Sequence, residues 1–172
     1  MTLQVALLRG VNVGGNKKLP MADLRAFCAR IGYGEARTLL QSGNLVLEAG
    51  KLKGAALEQK LCAEIEAEFG FRTEIFVRDG KALAAVIAAN PYPDFAKADP
   101  SHLVVVFLKG VPSDAHAKAM NAAREGPEQI RAEGRHVYIT YPMGIADSRL
   151  KLPVEGTMRN WNTVTKLAAM VS

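Results

Sequence analysis

The chain has few aromatic residues and no long apolar run, and each shortage excludes a class of protein. Aromatic residues make up 6% of its 172 residues, and no predicted strand carries the alternating aromatics that stack bases in an RNA-recognition motif. No stretch approaches the roughly 18 uncharged apolar residues that a membrane span needs. The segment Met1–Arg9 has no basic lead and too short an apolar run for a signal peptide. We therefore expect a cytoplasmic globular protein.

Cysteine and histidine are also scarce, with two and three copies, and neither forms a motif. Cys28 and Cys62 lie within apolar helical patterns and lack the spacing of a redox or zinc site. We expect reduced thiols in the core, because a free cysteine packs as a small apolar group. His102, His116 and His136 show no HExxH pattern, and nothing supplies His102 with a catalytic partner. No metal site is expected, and the sequence identifies no cofactor.

The excess positive charge is concentrated at the two ends of the chain. Lys plus Arg is 22 and Asp plus Glu is 17, which gives 22 − 17 = +5. Residues 1–40 carry +4 and residues 149–172 carry +3, whereas residues 41–148 carry −2. If the two ends meet in the fold, they form one basic face that attracts phosphate, carboxylate or nucleic acid. The alternative is that the charge serves solubility alone.

Hydrophobic periodicity predicts a mixed α+β fold with a repeated order of elements. In the first half, strands and helices alternate as β-α-β-β-α-β over 3–8, 20–31, 37–40, 44–48, 52–69 and 72–77. A trailing helix begins at Asp79 and ends before Asn90-Pro-Tyr-Pro93. The second half predicts β-α-β-β-α over 104–108, 113–123, 129–132, 136–141 and 161–171.

We interpret this order as two similar ferredoxin-like (β-α-β-β-α-β) subdomains packed together. The first covers residues 1–90 with its trailing helix, and the second covers residues 91–172 with the C-terminal helix. Right-handed crossover rules place the 9–18 loop and the turn at Gln41-Ser-Gly43 at one end of the first sheet.

That shared end collects residues suited to an anionic ligand. Glycines let a ligand approach the main chain, consecutive N–H groups form anion-binding nests, and Arg and Lys add complementary donors. The candidate residues are Arg9, Gly10, Asn12, Gly14, Gly15, Lys17, Lys18, Gln41, Ser42 and Asn44. The loop matches neither GxxxxGK[ST] nor GxGxxG. The alternative is a tight surface loop whose glycines only solve a backbone problem.

A second candidate cluster lies in Thr157–Lys166. Thr157 or Asn160 is expected to cap a helix, which places Arg159 and Asn162 in or near its first turn, where N–H groups favour an anion. The candidate ligand residues are Arg159, Asn160, Asn162 and Lys166. The alternative is that the asparagines are caps, Arg159 forms a surface ion pair and Trp161 packs in the core.

Three separated motifs resemble the domain-of-unknown-function family number 1697. They are Arg9-Gly-Val-Asn-Val-Gly-Gly15 with Leu40-Gln-Ser-Gly-Asn44, then Asn90-Pro-Tyr-Pro93, then Arg159-Asn-Trp-Asn-Thr-Val164. The resemblance covers essentially the whole chain and implies two similar α+β subdomains. It implies no activity and no catalytic residues. Members usually carry a longer helix before the last motif, whereas Ser148–Gly156 here is short and broken by Pro153.

These features favour binding of a small phosphate-bearing ligand at the 9–18 loop and the 41–44 hairpin. Arg9 and Lys18 would hold charge, and Asn12, Gln41 and Asn44 would orient the ligand. Whether the protein is an enzyme stays open, because no nucleophile or acid pair stands out. The alternatives are a nucleic-acid-binding module that uses a basic face, and a protein-interaction domain without a ligand. Neither the oligomeric state nor the placement of the subdomains follows from the sequence.

Overall fold

A computed structural model describes residues 2–15, 17–122, 126–146, 148–150 and 155–172. The chain divides into two units, which are described separately. The first unit consists of Met1–Ala84 and Leu167–Ser172, and the second consists of Ala85–Lys166. Each contains a four-stranded antiparallel sheet, so the predicted α+β class is confirmed.

The first sheet has the strand order β2-β3-β1-β4. Its strands are β1 (Leu3–Leu8), β2 (Arg37–Leu39), β3 (Asn44–Glu48) and β4 (Ile75–Asp79). The helices in this part of the chain are α1 (Met21–Arg30), α2 (Gly54–Phe69) and α3 (Gly80–Ala88). The central strand β1 pairs with both β3 and β4, in the registers Leu7↔Asn44 and Leu8↔Ile75.

One face of this sheet packs against α1 and α2. Ala6 and Leu8 of β1 join Leu24, Phe27 and Cys28 of α1 in a buried apolar cluster. Alternate residues of a strand point to opposite faces, yet Val5 and Leu7 are also fully buried. Burial on both faces explains why β1 is a nearly continuous apolar run in the sequence.

The strand β4 begins three residues later than the sequence predicts and extends to Asp79. Arg78 occupies a buried position within it and is only 1% exposed. A charged residue at a buried position gives no apolar signal for a strand, which explains the early end predicted at residue 77. Asp79 caps the next helix as expected, since its Oδ1 accepts from the N–H of Ala82 at 2.8 Å.

The second sheet has the strand order β6-β7-β5-β8. Its strands are β5 (Leu103–Phe107), β6 (Gln129–Glu133), β7 (His136–Thr140) and β8 (Thr157–Asn160). The helices are α4 (Pro93–Ala98), α5 (Asp114–Ala122) and α6 (Trp161–Val171), with a short 3-10 helix at Pro100–His102. The prediction missed α4 and β8, and it placed Thr157–Asn160 at the start of a helix.

The predicted break at Pro153 and the predicted last residue of the helix over 113–123, Ala123, lie outside the described residues. Within the part of the chain that is described, no helix has both the length and the apolar character of a membrane span.

Candidate functional site

The 9–18 loop and the 41–43 turn lie at the same end of the first sheet, as the topology predicts. The N–H of Leu8 donates to the carbonyl of Gly43 at 2.9 Å. Gly43 has φ +85°, and a Cβ built there would lie 2.6 Å from Val11 Cγ2 and 2.8 Å from Leu8 Cβ. Only glycine allows this approach, so the two segments are in tight contact at Gly43.

The side chain of Asn12 fastens the loop to the turn. Its Nδ2 donates to the carbonyls of Leu19 at 2.8 Å and Gln41 at 2.6 Å, and its Oδ1 accepts from the N–H of Leu19 at 2.8 Å. Asn12 has φ +58°, a conformation that asparagine tolerates better than most residues. The amide that the sequence analysis assigned to ligand orientation therefore holds the loop in place.

The side chain of Asn44 has a similar structural role within the hairpin. It is fully buried, and its Nδ2 donates to the carbonyl of Leu39 at 2.8 Å and to Ser42 Oγ at 2.9 Å. Of the three predicted polar residues in the hairpin, Gln41 is exposed and Ser42 is half-buried. Asn44 thus points into the protein, and Gln41 is the hairpin side chain most open to solvent.

A cleft of about 450 Å³ opens at this end of the sheet. Its lining residues are Arg9, Gly10, Lys17, Arg72 and Glu74, and we call it the cationic cleft. Three of these residues are basic and one is acidic, so the lining carries 3 − 1 = +2. Three of the five were predicted from the sequence, and Arg72 and Glu74 were not.

Hydrogen bonds between β1 and the start of β4 bring Arg72 and Glu74 to the cleft. The N–H of Arg9 donates to the carbonyl of Glu74 at 3.0 Å, and Thr73 Oγ1 donates to the carbonyl of Arg9 at 2.8 Å. The order β-α-β-β-α-β with β4 antiparallel to β1 already implies that the residues before β4 lie beside Arg9. The position of Arg72 and Glu74 beside Arg9 could therefore have been predicted from the sequence.

Two ion pairs hold the arginines of the cationic cleft. Arg9 Nη1 lies 3.2 Å from Glu74 Oε2, and Arg72 Nη1 lies 3.5 Å from Glu66 Oε2. All four side chains are at least 40% exposed. Exposed ion pairs contribute only about 0–1 kcal/mol to stability, so these pairs orient the guanidinium groups more than they stabilise the fold.

The remaining predicted residues of the loop are more exposed. Gly10, Gly14 and Gly15 have φ of +70°, +72° and +95°, and a Cβ at any of them would meet nothing within 4 Å. These three glycines therefore allow the positive φ angles of the loop, and they leave its main chain accessible to a ligand. Lys18 is exposed and does not contribute to the described lining of the cationic cleft.

The predicted C-terminal cluster lies in the second unit and differs from the expectation. Arg159 lies in β8, is 7% exposed, and donates to Thr157 Oγ1 at 2.8 Å and to the carbonyl of Met158 at 2.9 Å. Burial lowers the pKa of Arg159 to about 10. A strand rather than a helical turn holds this residue, because Val105 of β5 pairs with it. Arg159 therefore lies in a strand directly before α6, and its burial contradicts the alternative of a surface ion pair.

The residues that follow Arg159 cap α6, pack in the core or lie exposed on the helix. Asn160 Oδ1 accepts from the N–H of Thr163 at 3.0 Å, which confirms Asn160 as a helix cap. Trp161 is 9% exposed, in agreement with the core-packing interpretation. Asn162 and Lys166 are exposed on α6.

His102 has a carboxylate partner, Asp99, that was not predicted from the sequence. Its Nδ1 lies 2.7 Å from Asp99 Oδ2, and Ser101 Oγ donates to Asp99 Oδ1 at 3.2 Å. All three residues belong to the turn around the short 3-10 helix, where Asp99 is the cap position. The contact with Asp99 orients the imidazole ring. The geometry of the turn is enough to bring these two side chains together.

The geometry thus defines a two-unit α+β protein with a cationic cleft at one end of its first sheet. The chain belongs to the family described as protein of unknown function (DUF1697), whose model matches residues 1–138. Among solved structures, that of conserved bacterial protein SP0830 from Streptococcus pneumoniae is similar to the chain, with a TM-score of 0.79. The two share 21% identity over 99% of each chain, a likeness of fold alone. No curated protein matches the chain.

Proposed function

We propose that the protein binds a small phosphate-bearing anion in the cationic cleft. The observation that carries this proposal is the convergence of Arg9, Lys17 and Arg72 on one cleft of about 450 Å³. Small-molecule sites typically have volumes of roughly 300–1,000 Å³, so a phosphate ester fits the available space. The net lining charge of +2 complements a phosphate dianion.

Each lining group suits a different part of such a ligand. A guanidinium presents five N–H donors in a planar fork, so Arg9 is able to bind phosphate oxygens while it keeps its bond to Glu74. Lys17 supplies a compact charge, and Arg72 supplies a second fork. The positive φ of Gly10 and the open space at its Cβ position allow close approach to the main chain.

A small ligand fits the cleft better than a nucleic acid does. Duplex binding typically involves about 6–10 phosphate contacts, whereas this cleft gathers three cations around one carboxylate. The five described lining residues include no serine, cysteine or histidine, so we assign binding and no reaction.

Calorimetric titration with inorganic phosphate and ribose 5-phosphate tests this proposal. We expect Arg9→Ala to weaken both affinities by about tenfold or more, because a charge-assisted hydrogen bond to an anion is lost. Arg30→Ala is the matched control, since Arg30 also forms an exposed ion pair with a glutamate, Glu68, but lies outside the lining of the cleft. Binding by Arg9→Ala at wild-type strength, or no binding by the wild type at millimolar phosphate, would refute the proposal.

A further inference from the structure

Two apolar side chains protrude into solvent at the same end of the first sheet. Val13 is 63% exposed and Leu40 is 56% exposed. Val13 directly follows Asn12 in the loop, and Leu40 directly precedes Gln41 in the turn. The 2.6 Å bond between Asn12 Nδ2 and the carbonyl of Gln41 therefore joins the two segments that carry them.

The backbone at Leu40 is unusual for its residue type. Leu40 has φ +59°, and it and Asn12 are the two non-glycine residues with positive φ in the described part of the chain. Leucine rarely adopts this region, because its Cβ crowds the following carbonyl. Asparagine or glycine would be less strained there, and a leucine that is 56% exposed gains little from core packing. A strained residue with so small a folding benefit points to a role in binding.

The apolar pair lies within reach of the cationic cleft. Val13 belongs to the loop that also carries Arg9 and Lys17, whereas Leu40 directly follows β2 at the far side of the sheet. Adjacent strands lie about 4.8 Å apart, so the distance from the end of β2 to the start of β4 is on the order of 14 Å. A nucleoside phosphate, in which a ribose separates the phosphate from the ring, approaches this length, whereas phenyl phosphate is much shorter.

The exposed apolar area decides between a small molecule and a protein partner. A fully exposed valine or leucine side chain offers roughly 100 Å² of apolar surface, so the pair presents no more than about 200 Å². A stable protein interface buries about 800 Å² on each partner, of which roughly 56–58% is apolar. The pair is therefore too small for a protein partner and matches one face of a ring.

We propose that the ligand is an aromatic phosphate ester of the length of a nucleoside phosphate, whose ring packs on Val13 and Leu40. This inference rests on the proposed function, since the phosphate of the same molecule lies in the cationic cleft. The apolar pair selects the ring, and Arg9, Lys17 and Arg72 hold the charge.

Paired titrations isolate the contribution of the ring. Phenyl phosphate is compared with inorganic phosphate, and adenosine monophosphate is compared with ribose 5-phosphate. In the wild type, we expect the ring of adenosine monophosphate to strengthen binding by about tenfold, which is the effect of burying one small apolar face, and the shorter phenyl phosphate to gain less. The variant carries Val13→Thr and Leu40→Asn, which preserve the side-chain shape at 13 and the positive φ at 40.

In this double variant, we expect the tenfold advantage of the ring to disappear while the affinity for inorganic phosphate stays within about twofold. Val111→Thr is the control, because Val111 is 71% exposed and lies in the second unit. An equal advantage of the ring in wild type and double variant, or no advantage in the wild type, would overturn the aromatic assignment and leave phosphate binding intact. If the wild type binds none of the four probes, both proposals fail.

Discussion

Asn12 donates its side-chain N–H to the carbonyl of Gln41 across 2.6 Å and so joins two segments that lie 29 residues apart in the chain. The same side chain also donates a hydrogen bond to the carbonyl of Leu19 and accepts one from the N–H of Leu19. A single amide thereby fixes the end of the first sheet where the cationic cleft and the Val13–Leu40 pair lie. Loss of this amide should disturb stability and binding together.

Asn12→Ala tests this role. The substitution removes three hydrogen bonds and leaves the N–H of Leu19, which lies in a part-buried environment, without its acceptor. Net contributions of about 1 kcal/mol per hydrogen bond predict a loss of roughly 2–3 kcal/mol in the free energy of unfolding. Urea unfolding measures this loss.

Asn162→Ala is the matched control for the loss of an asparagine side chain. Asn162 is exposed on α6, and substitutions at such positions usually change stability by less than about 0.5 kcal/mol. Equal unfolding midpoints for Asn12→Ala and Asn162→Ala would contradict the assigned role of Asn12.

Gly43→Ala is expected to destabilise the hairpin contact strongly. The added methyl would lie 2.6 Å from Val11 Cγ2 and 2.8 Å from Leu8 Cβ, at a residue with φ +85°. Overpacking and left-handed strain together predict a loss of about 3 kcal/mol. Gly14→Ala separates the two causes, because Gly14 has φ +72° but nothing within 4 Å of a Cβ. It should lose only about 1–2 kcal/mol, and a larger loss than in Gly43→Ala would refute the packing argument.

The shared end of the sheet was predictable because it follows from topology, but the described lining of the cationic cleft contains no residue of the 41–43 turn. The order of strands and helices, with right-handed crossovers, placed Arg9 beside the 41–43 turn, and the bond between Leu8 and Gly43 confirms this. The roles of individual amides were not predictable in the same way. A sequence does not show whether Asn12 faces a ligand or a carbonyl of its own chain, since both uses require the same residue type.

The second unit shows a different limit of sequence reasoning. The strand β8 has four residues, Thr157–Asn160, and includes a buried arginine. Its short length and the charge of Arg159 conceal the alternating pattern that identifies a strand. The helical spacing of Trp161, Val164 and Leu167 was clear, and the cap at Asn160 was correct. In this C-terminal segment, the backbone conformation before the cap was misjudged.

Glu74→Gln should strengthen phosphate binding. Glu74 contributes the only negative charge among the described residues that line the cationic cleft, and its Oε2 lies 3.2 Å from Arg9 Nη1. Its removal raises the lining charge from +2 to +3 and ends the repulsion of an incoming anion. At surface-like dielectric values this repulsion amounts to about 1 kcal/mol, or roughly a fivefold gain in affinity.

Calorimetry with inorganic phosphate measures this gain, which should shrink at high salt because exposed charges are screened. Glu68→Gln is the control, since Glu68 pairs with Arg30 outside the lining of the cleft. Weaker phosphate binding by Glu74→Gln would show that Glu74 positions Arg9 more than it repels the ligand.

Cys28 should make the protein less stable at alkaline pH. It is fully buried in the cluster beneath the first sheet, and burial raises the pKa of its thiol to about 11 from a usual value of 9.0. Below the unfolded pKa the thiol is protonated in both states, and between the two pKa values only the unfolded chain ionises. Unfolding then releases a proton, so the stabilising contribution of the neutral thiol falls as pH rises. Urea unfolding at about pH 8 and about pH 10 should show a loss of roughly 1 kcal/mol in the wild type.

Cys28→Ala separates this effect from other alkaline titrations. Burial also raises the pKa values of Tyr138 and Tyr141 to about 12, so their main contribution is lost at higher pH, between their ordinary value of 10.0 and 12. Cys28→Ala should be less stable than the wild type near neutral pH, because a buried side chain is truncated, but its stability should fall less between the two pH values. Equal falls in Cys28→Ala and the wild type would show that the buried thiol does not set the alkaline stability of the first unit.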